Sequence, residues 1–291
     1  MPGTKLDAQY FGRASWTRRL GCALKDLKSD GRAGPFVGSH VGVIRQLLTD
    51  PDAGPRVVIN IGAEALLNFL ATGCYKNLYE HPVVGGRRRE PTPERIQVDK
   101  WLSLPGAHRF YFAAVALGGA GVRFYGEYCM VLRPERIPPD TRIFDRDSYD
   151  LLQPPLSGRG DDAMQRLAGC LRGTWQADLV DMLLMKMLPR LPSTRHLITS
   201  GQVSGLVMTD QEFVEVHLEG PIQPSDIEQV TQLPDEPAME ASIAQRQAGR
   251  QAPSAVELLW LKRRREVAES LAMAKVPHGL ATQGGRGYQW T

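Results

Sequence analysis

The segment 210–220, DQEFVEVHLEG, constrains the fold of this chain more than any other stretch. Apolar and polar side chains alternate along it with the period of two that is typical of a β-strand. One face of the predicted strand is aliphatic and has the composition of a core face: Val214, Val216 and Leu218. The opposite face combines an aromatic ring, two carboxylates and an imidazole: Phe213, Glu215, His217 and Glu219.

The polar face of this strand allows two interpretations. In the ordinary one the strand is half exposed and its charged face meets water. If another element covers that face, the charges are costly unless they are paired or used in chemistry. In that case other segments of the chain must supply residues that cover or join Glu215 and His217.

Composition indicates a loop-rich globular protein. The chain has 291 residues, of which 42% are apolar, with 29 Gly and 21 Pro and a net charge of +3. Its four cysteines lie far apart and lack the spacing of a zinc site, so no metal is expected. With neither an 18-residue apolar run nor a secretory signal, we expect no membrane association. The expected location is cytoplasmic, or secreted as an effector without a cleaved signal.

The predicted elements indicate an α+β fold with short antiparallel strands between helices. The order lacks regular βαβ alternation, which argues against a doubly wound nucleotide fold. Four regions are predicted: an N-terminal helical layer (1–54), a core (55–233), a linker (234–253) and a C-terminal helix with a tail (254–291). A capping box of Ser254 and Glu257 opens that last helix.

Within the core, strands are predicted at 56–61 and 141–144, and helices at 63–71, 93–102 and 161–187. The helix at 93–102 is expected to place Arg95, Asp99 and Lys100 on its solvent side. A strand at 196–200 or 205–209 is predicted to feed segment 210–220, and a short helix is predicted to begin at 224–230.

Residues 121–133 form the clearest predicted strand, with Arg123 and Tyr125 on its polar face and Phe124 on its apolar face. If this strand and segment 210–220 lie in neighbouring sheets, their polar faces line one cleft. Arginine binds phosphate oxygens, an aromatic ring stacks on a base, and a carboxylate stabilises a developing cation. Together with the polar stretch that begins at Tyr75, this set fits an anionic, aromatic ligand such as a nucleotide.

Four segments of the chain resemble bacterial mono-ADP-ribosyltransferase-like toxins in their order and pattern. They are residues 66–77 (LLNFLATGCYKN), 95–102 (RIQVDKWL), 123–134 (RFYGEYCMVLRP, followed by Asp147 and Ser148) and 214–222 (VEVHLEGPI). The resemblance covers roughly residues 56–232. It implies a split core of two sheets with flanking helices, and an enzyme of the toxin, effector or phage-defence type.

The resemblance also implies NAD as the cofactor and a catalytic glutamate on a late strand, a position that Glu215 matches, with Glu219 on the same face as the alternate. Five residues are then expected on the NAD side of the site: Tyr75, Arg123, Tyr125, Ser148 and His217. The implied partners are a macromolecular acceptor, either protein or nucleic acid, and an antitoxin or immunity protein.

Two other functions remain open from the residues themselves. A metal-dependent nuclease could use Glu215 and nearby acids, and the basic clusters at 87–89 and 262–265 would then contact nucleic acid. Alternatively, the chain is a non-enzymatic binding module whose terminal helices form the partner surface.

Overall fold

A computed structural model describes residues 16–29, 37–77, 79, 83–84, 87–88, 91–102, 109–119, 121–148, 172–191, 199–207, 213–233 and 235–281. Eight α-helices occur in these residues: α1 (Trp16–Ser29), α2 (Val37–Leu48), α3 (Ala63–Thr72), α4 (Pro93–Trp101), α5 (Trp175–Met187), α6 (Ser200–Val207), α7 (Asp235–Ala248) and α8 (Ala255–Met273). The described strands are β1 (Arg56–Ile61), β2 (Val83–Val84), β3 (Arg87–Arg88), β4 (Phe110–Ala116), β5 (Tyr128–Leu132), β6 (Arg142–Phe144), β7 (Arg172–Thr174), β8 (Glu215–Glu219), β9 (Ile227–Gln232) and β10 (His278–Leu280).

Eight of these strands form one sheet in the order β10-β9-β5-β1-β4-β8-β6-β7. Neighbouring strands are antiparallel except β9 and β10, which are parallel. Strands β2 and β3 pair separately as a short hairpin. The expected mixture of helices and antiparallel strands is therefore confirmed, whereas the core strands lie in one continuous sheet and the split into two sheets is not confirmed.

The two faces of the sheet differ in what covers them. The first face carries the aliphatic side of β8 and joins the main hydrophobic core, which includes residues of α2, α3, α5, α6 and α8. The second face carries a smaller apolar cluster built around Val58, Ala114, Val131 and Phe213. Beside that cluster lie the buried polar residues of β8, which were predicted to share a face with Phe213.

The terminal helices pack on the central part of the chain. Helices α1 and α2 contact α5, while α8 contacts α3 and places Val267 and Leu271 in the main core. Helix α8 begins with the predicted capping box, in which the Ser254 hydroxyl accepts from the N–H of Glu257 and the Glu257 carboxylate accepts from the N–H of Ser254. Every described helix is too short or too polar to span a bilayer.

Several sequence predictions of individual elements are wrong. The predicted strand at 121–133 is shorter, because Arg123–Tyr125 form a 3-10 turn before β5 begins at Tyr128. A strand was expected at 196–200 or 205–209. Residues 200–207 instead form α6, and residues 192–198 lie outside the described part. The helix expected at 224–230 is a single 3-10 turn followed by β9.

Two further boundaries differ from the sequence prediction. The region interpreted as a linker contains α7, which Arg264 of α8 holds through contacts to Glu236 and Glu240. Of the helix expected at 161–187, the described part is strand β7 followed by α5 from Trp175, and residues 161–171 lie outside the described part.

Candidate functional site

Glu215 lies in the interior of the sheet, at the start of β8 between β4 and β6. Ala114 is its register partner on one side and Phe144 on the other. The residue is only 4% exposed. The half-exposed interpretation of this strand is therefore wrong for Glu215, whose carboxylate must find its partners inside the protein.

Ser148 supplies two of those partners. Its backbone N–H and its hydroxyl both donate to Glu215 Oε2, at 3.1 and 2.9 Å. Ser148 lies in the segment that follows β6, the strand paired with β8, so the sheet brings the serine to the carboxylate. The sequence placed both residues in the predicted site, and the structure brings them into direct contact.

His217 supplies the third partner of the carboxylate. It lies two residues along β8 and therefore on the same face, and its Nε2 is 2.6 Å from Glu215 Oε1. Nε2 is the donor in this bond when the carboxylate is ionised. The ring is 1% exposed and packs edge-on against Phe112 at 5.2 Å between centroids, so its orientation is fixed.

Helix α4 covers this face of the sheet, and the side of the helix that is turned toward the sheet carries charged residues. Thr92 caps the helix and Pro93 occupies its first turn, which sets where the helix begins. Arg95 and Asp99, expected on the solvent side, are buried at 2% and 5% exposure, whereas Ile96 is exposed. The sequence prediction is wrong for these two charges, although Lys100 is exposed as expected.

Arg95 connects α4 to the carboxylate. One guanidinium nitrogen donates to Ser148 Oγ at 2.9 Å, and Nε donates to Asp99 Oδ1 at 2.8 Å. The Arg95 Cζ also lies 3.9 Å above the centre of the Phe112 ring, in a cation–π contact. Asp99 in turn accepts from the Tyr79 hydroxyl. The six residues joined in this way, here called the Glu215 network, are Tyr79, Arg95, Asp99, Ser148, Glu215 and His217.

The pKa of Glu215 shows which influence dominates inside the network. Burial by itself raises the pKa of this carboxyl. The hydrogen bond and charge of His217, the charge of Arg95 and the backbone N–H of Ser148 act in the other direction and outweigh burial. The pKa therefore lies below its ordinary value, and the buried side chain is a carboxylate at neutral pH.

The structure separates the other predicted site residues. Tyr125 lies near the network, because its hydroxyl donates to Asp147 at 3.0 Å and Asp147 precedes Ser148. Arg123 points to α7 and forms ion pairs with Asp235 at 2.9 Å and Glu236 at 3.6 Å. Tyr75 packs with Phe69 and Tyr111 on the main-core face of the sheet, opposite Glu215, and burial raises its pKa to about 12.

The sequence reasoning missed Tyr79, Arg95, Asp99 and Phe112. A signal for the α4 residues was present, because Arg95, Val98, Asp99 and Leu102 follow the i, i+3, i+4, i+7 spacing of one helical face. All four are buried. Burying an ion pair seldom increases stability relative to apolar residues of the same size, so this pair is a candidate for a functional role.

Comparison with known proteins adds no further constraint: the chain matches no protein-family model, no curated protein and no solved structure. Within the described ranges, no group of three or more His, Cys, Asp and Glu residues is arranged to hold a metal ion. The feature that bears on function is the Glu215 network, which holds the Glu215 carboxylate among buried hydrogen-bond donors and a buried ion pair.

Proposed function

We propose that this protein is an NAD-dependent mono-ADP-ribosyltransferase in which Glu215 is the catalytic carboxylate. The main support for this proposal is that the Glu215 carboxylate is buried, ionised and hydrogen-bonded to His217 and Ser148. The order of sequence segments that resembles such enzymes supports the same activity. By the same resemblance, we propose that the protein acts as a toxin, an effector or a phage-defence protein and has an antitoxin or immunity partner.

The proposed reaction needs a fixed negative charge. The bond between the ribose and nicotinamide breaks, the electron pair leaves with nicotinamide, and positive charge develops on the ribose. A carboxylate already oriented in a low-dielectric site stabilises that charge without reorganising water around it. A nucleophile of the acceptor then forms a bond to the same ribose carbon and loses its proton, which completes the transfer of ADP-ribose.

The neighbours of Glu215 leave one side of it available for this role. Oε2 accepts two hydrogen bonds from Ser148, whereas Oε1 accepts one from His217 among the described residues. A carboxylate oxygen has two lone pairs, so Oε1 retains acceptor capacity for a ribose hydroxyl. Ser148, His217 and Arg95 act as positioning residues in this proposal, and Tyr125 lies where it could contact the nicotinamide side.

The burial of Glu215 sets a condition on this activity. At 4% exposure the carboxylate is covered, and NAD reaches Oε1 only when part of the cover moves aside. The charged face of α4 is part of that cover, since Arg95 contacts both Ser148 and Phe112. A phosphate or ribose that replaces one of the Arg95 contacts would offset the cost of opening.

The test is release of nicotinamide from NAD, with and without a mixture of candidate acceptors. Glu215→Gln keeps the size of the side chain and removes its charge, and we expect turnover to fall about 100-fold to 1000-fold. Glu219→Gln is the matched control, because Glu219 lies on the same strand and the same face but is exposed. If wild type and Glu215→Gln release nicotinamide equally, or if neither does with any acceptor, the proposal is wrong.

A further inference from the structure

An exposed aromatic pair lies on the turn between β4 and β5. Phe124 is 84% exposed and Tyr125 is 47% exposed, and their rings meet edge to face at 5.3 Å between centroids. The sequence had placed Phe124 on the apolar face of a strand, so its position on the surface was unexpected. A large aromatic side chain that a stable fold leaves in water is a candidate contact residue for a partner.

The turn that carries the pair is fixed at several points. The Asn60 side chain accepts from the N–H of Val122 at 2.6 Å and donates to the carbonyl of Gly126 at 3.0 Å, so it holds both ends of the turn. Gly126 packs so closely on β1 that a Cβ would lie 2.1 Å from the carbonyl carbon of Ile61. The aromatic pair is thus presented by a preorganised turn, which lowers the entropy cost of binding.

The same turn is joined to the Glu215 network. The Tyr125 hydroxyl contacts Asp147, and the next residue, Ser148, contacts Glu215. The aromatic pair is therefore connected to the proposed catalytic carboxylate through Asp147 and Ser148, and it lies at the surface while Glu215 is buried. A molecule bound on Phe124 would be well placed to present a nucleophile to that carboxylate.

The charge around the pair distinguishes between possible partners. The side chains bonded to the turn bring three carboxylates, from Asp147, Asp235 and Glu236, and among the described residues the guanidinium groups of Arg123 and, through Glu236, Arg264 pair with them. This excess of negative charge repels phosphates and attracts cationic side chains. An aromatic face beside carboxylates is a favourable environment for an arginine or lysine side chain, through cation–π attraction.

The basic cluster at 262–265, which could have favoured nucleic acid, is largely engaged by carboxylates. Lys262 pairs with Glu266, Arg263 with Glu64, and Arg264 with Glu236 and Glu240. Arg264 is also stacked on Trp260, at 4.7 Å from the ring centre, and is mostly buried. These pairings reduce the positive charge that this cluster offers to a polyanion.

We infer that the Phe124 and Tyr125 pair is the docking site for the acceptor, and that the acceptor is a basic protein segment. A lysine or arginine side chain of that segment lies over the Phe124 ring while the carboxylates around Arg123 supply complementary charge. The inference rests on the proposed transfer reaction for its biological meaning. The binding surface itself is defined by the geometry of the turn and can be tested without NAD.

The experiment measures binding of short peptides to the full chain in the absence of NAD. The probe is an eight-residue peptide with three arginines, and the control peptide carries citrulline at the same positions. We expect the arginine peptide to bind, with an affinity that falls as salt increases, and the citrulline peptide to bind at least five-fold more weakly. Equal binding of the two peptides, or no binding of either, overturns the inference.

Variants locate the binding on the turn. Phe124→Leu keeps an apolar side chain without a ring face and should weaken binding of the arginine peptide about five-fold, whereas Phe124→Trp should retain it. Leu258→Ala, at another exposed apolar position, is the control and should bind as wild type does. If Phe124→Leu binds as tightly as wild type, the inference is wrong.

Nucleic acid provides the competing outcome. A single-stranded oligonucleotide that binds more tightly than the peptide, and loses its binding in Phe124→Leu, would overturn the inference in favour of a nucleic-acid acceptor. The two proposals fail separately. Peptide binding through Phe124 without any NAD turnover would contradict only the transferase activity, and turnover that depends on Glu215 without peptide binding would contradict only the docking site.

Discussion

Arg95 and Asp99 form a buried ion pair one helical turn apart, on the side of α4 that faces Glu215. Both side chains are almost completely removed from water, and each has a second partner, Ser148 for the arginine and Tyr79 for the aspartate. Polar contacts thus join the buried apolar residues Val98 and Leu102 on the covered face of helix α4. The stability of the fold and the geometry of the proposed site consequently depend on the same two residues.

Removing one member of this pair should be strongly destabilising. Arg95→Met keeps most of the side-chain volume but leaves the Asp99 carboxylate buried without its cation, and we expect the free energy of unfolding to fall by about 3–5 kcal/mol. Urea denaturation measures this change. The double variant Arg95→Met with Asp99→Asn should recover part of the loss, because no buried charge then remains unpaired.

Lys100→Ala is the control for α4, since Lys100 is on the same helix but exposed. Its effect should stay within about 0.5 kcal/mol. If Arg95→Met is no more destabilising than Lys100→Ala, the ion pair does not hold α4 to the sheet.

Stability should depend on pH through Glu215. The pKa of Glu215 in the folded chain lies below its ordinary value of 4.5, mainly because His217 and Arg95 outweigh the effect of burial. As the pH falls, the unfolded chain binds a proton first. The contribution of Glu215 to stability is therefore complete above about pH 4.5 and is lost as the pH falls through the folded-state pKa.

Glu215→Gln removes this dependence. Between neutral pH and pH 3, the free energy of unfolding of the wild type should decrease more steeply than that of Glu215→Gln, as followed by urea denaturation at each pH. The exposed Glu219→Gln variant should retain the wild-type dependence. Parallel curves for wild type and Glu215→Gln would contradict the depressed pKa.

The sequence predicted the elements whose pattern follows from local rules. The alternation along β8 placed each residue on its correct face, because successive side chains of a strand point to opposite faces. The helix predicted at 63–71 is α3, which Gly73 ends in a left-handed conformation. Ser254 and Glu257 form the capping box that their spacing predicted.

The remaining errors have a common physical origin, which is that long-range contacts override local pattern. Arg95 and Asp99 are polar, so they were assigned to solvent, yet partners from distant segments satisfy both. Phe124 is apolar, so it was assigned to the core, yet the Asn60 bonds on either side of it hold the chain in a turn. The pattern of a single sequence contains no information on such distant partners. For Ser148 and Glu215 the sequence predicted a shared site, but it did not predict their direct contact.

The capping box of α8 gives a local test of stability. Ser254→Ala removes the acceptor for the N–H of Glu257 and should lower the free energy of unfolding by about 1 kcal/mol. Ser254→Asp retains an acceptor at the same position and should remain close to wild type. Urea denaturation compares the two variants, and equal stability of Ser254→Ala and wild type would show that the cap is not needed to hold α8 on α3.

Gly121 gives the sharpest test of the turn that carries Phe124. Its φ is +69°, and a Cβ at this position would lie 2.0 Å from the Asn60 Oδ1 that holds the turn. Gly121→Ala should therefore cost about 1–3 kcal/mol from backbone strain alone, and the displaced amide should also weaken peptide binding at Phe124. Gly42→Ala is the matched control, because Gly42 lies within α2 with open space around it. This variant should increase the free energy of unfolding by about 0.4–1 kcal/mol. Thermal unfolding and peptide titration of the two variants measure both effects. If Gly121→Ala is as stable as Gly42→Ala, the turn is not fixed by the Asn60 contact, and the preorganised presentation of Phe124 has to be abandoned.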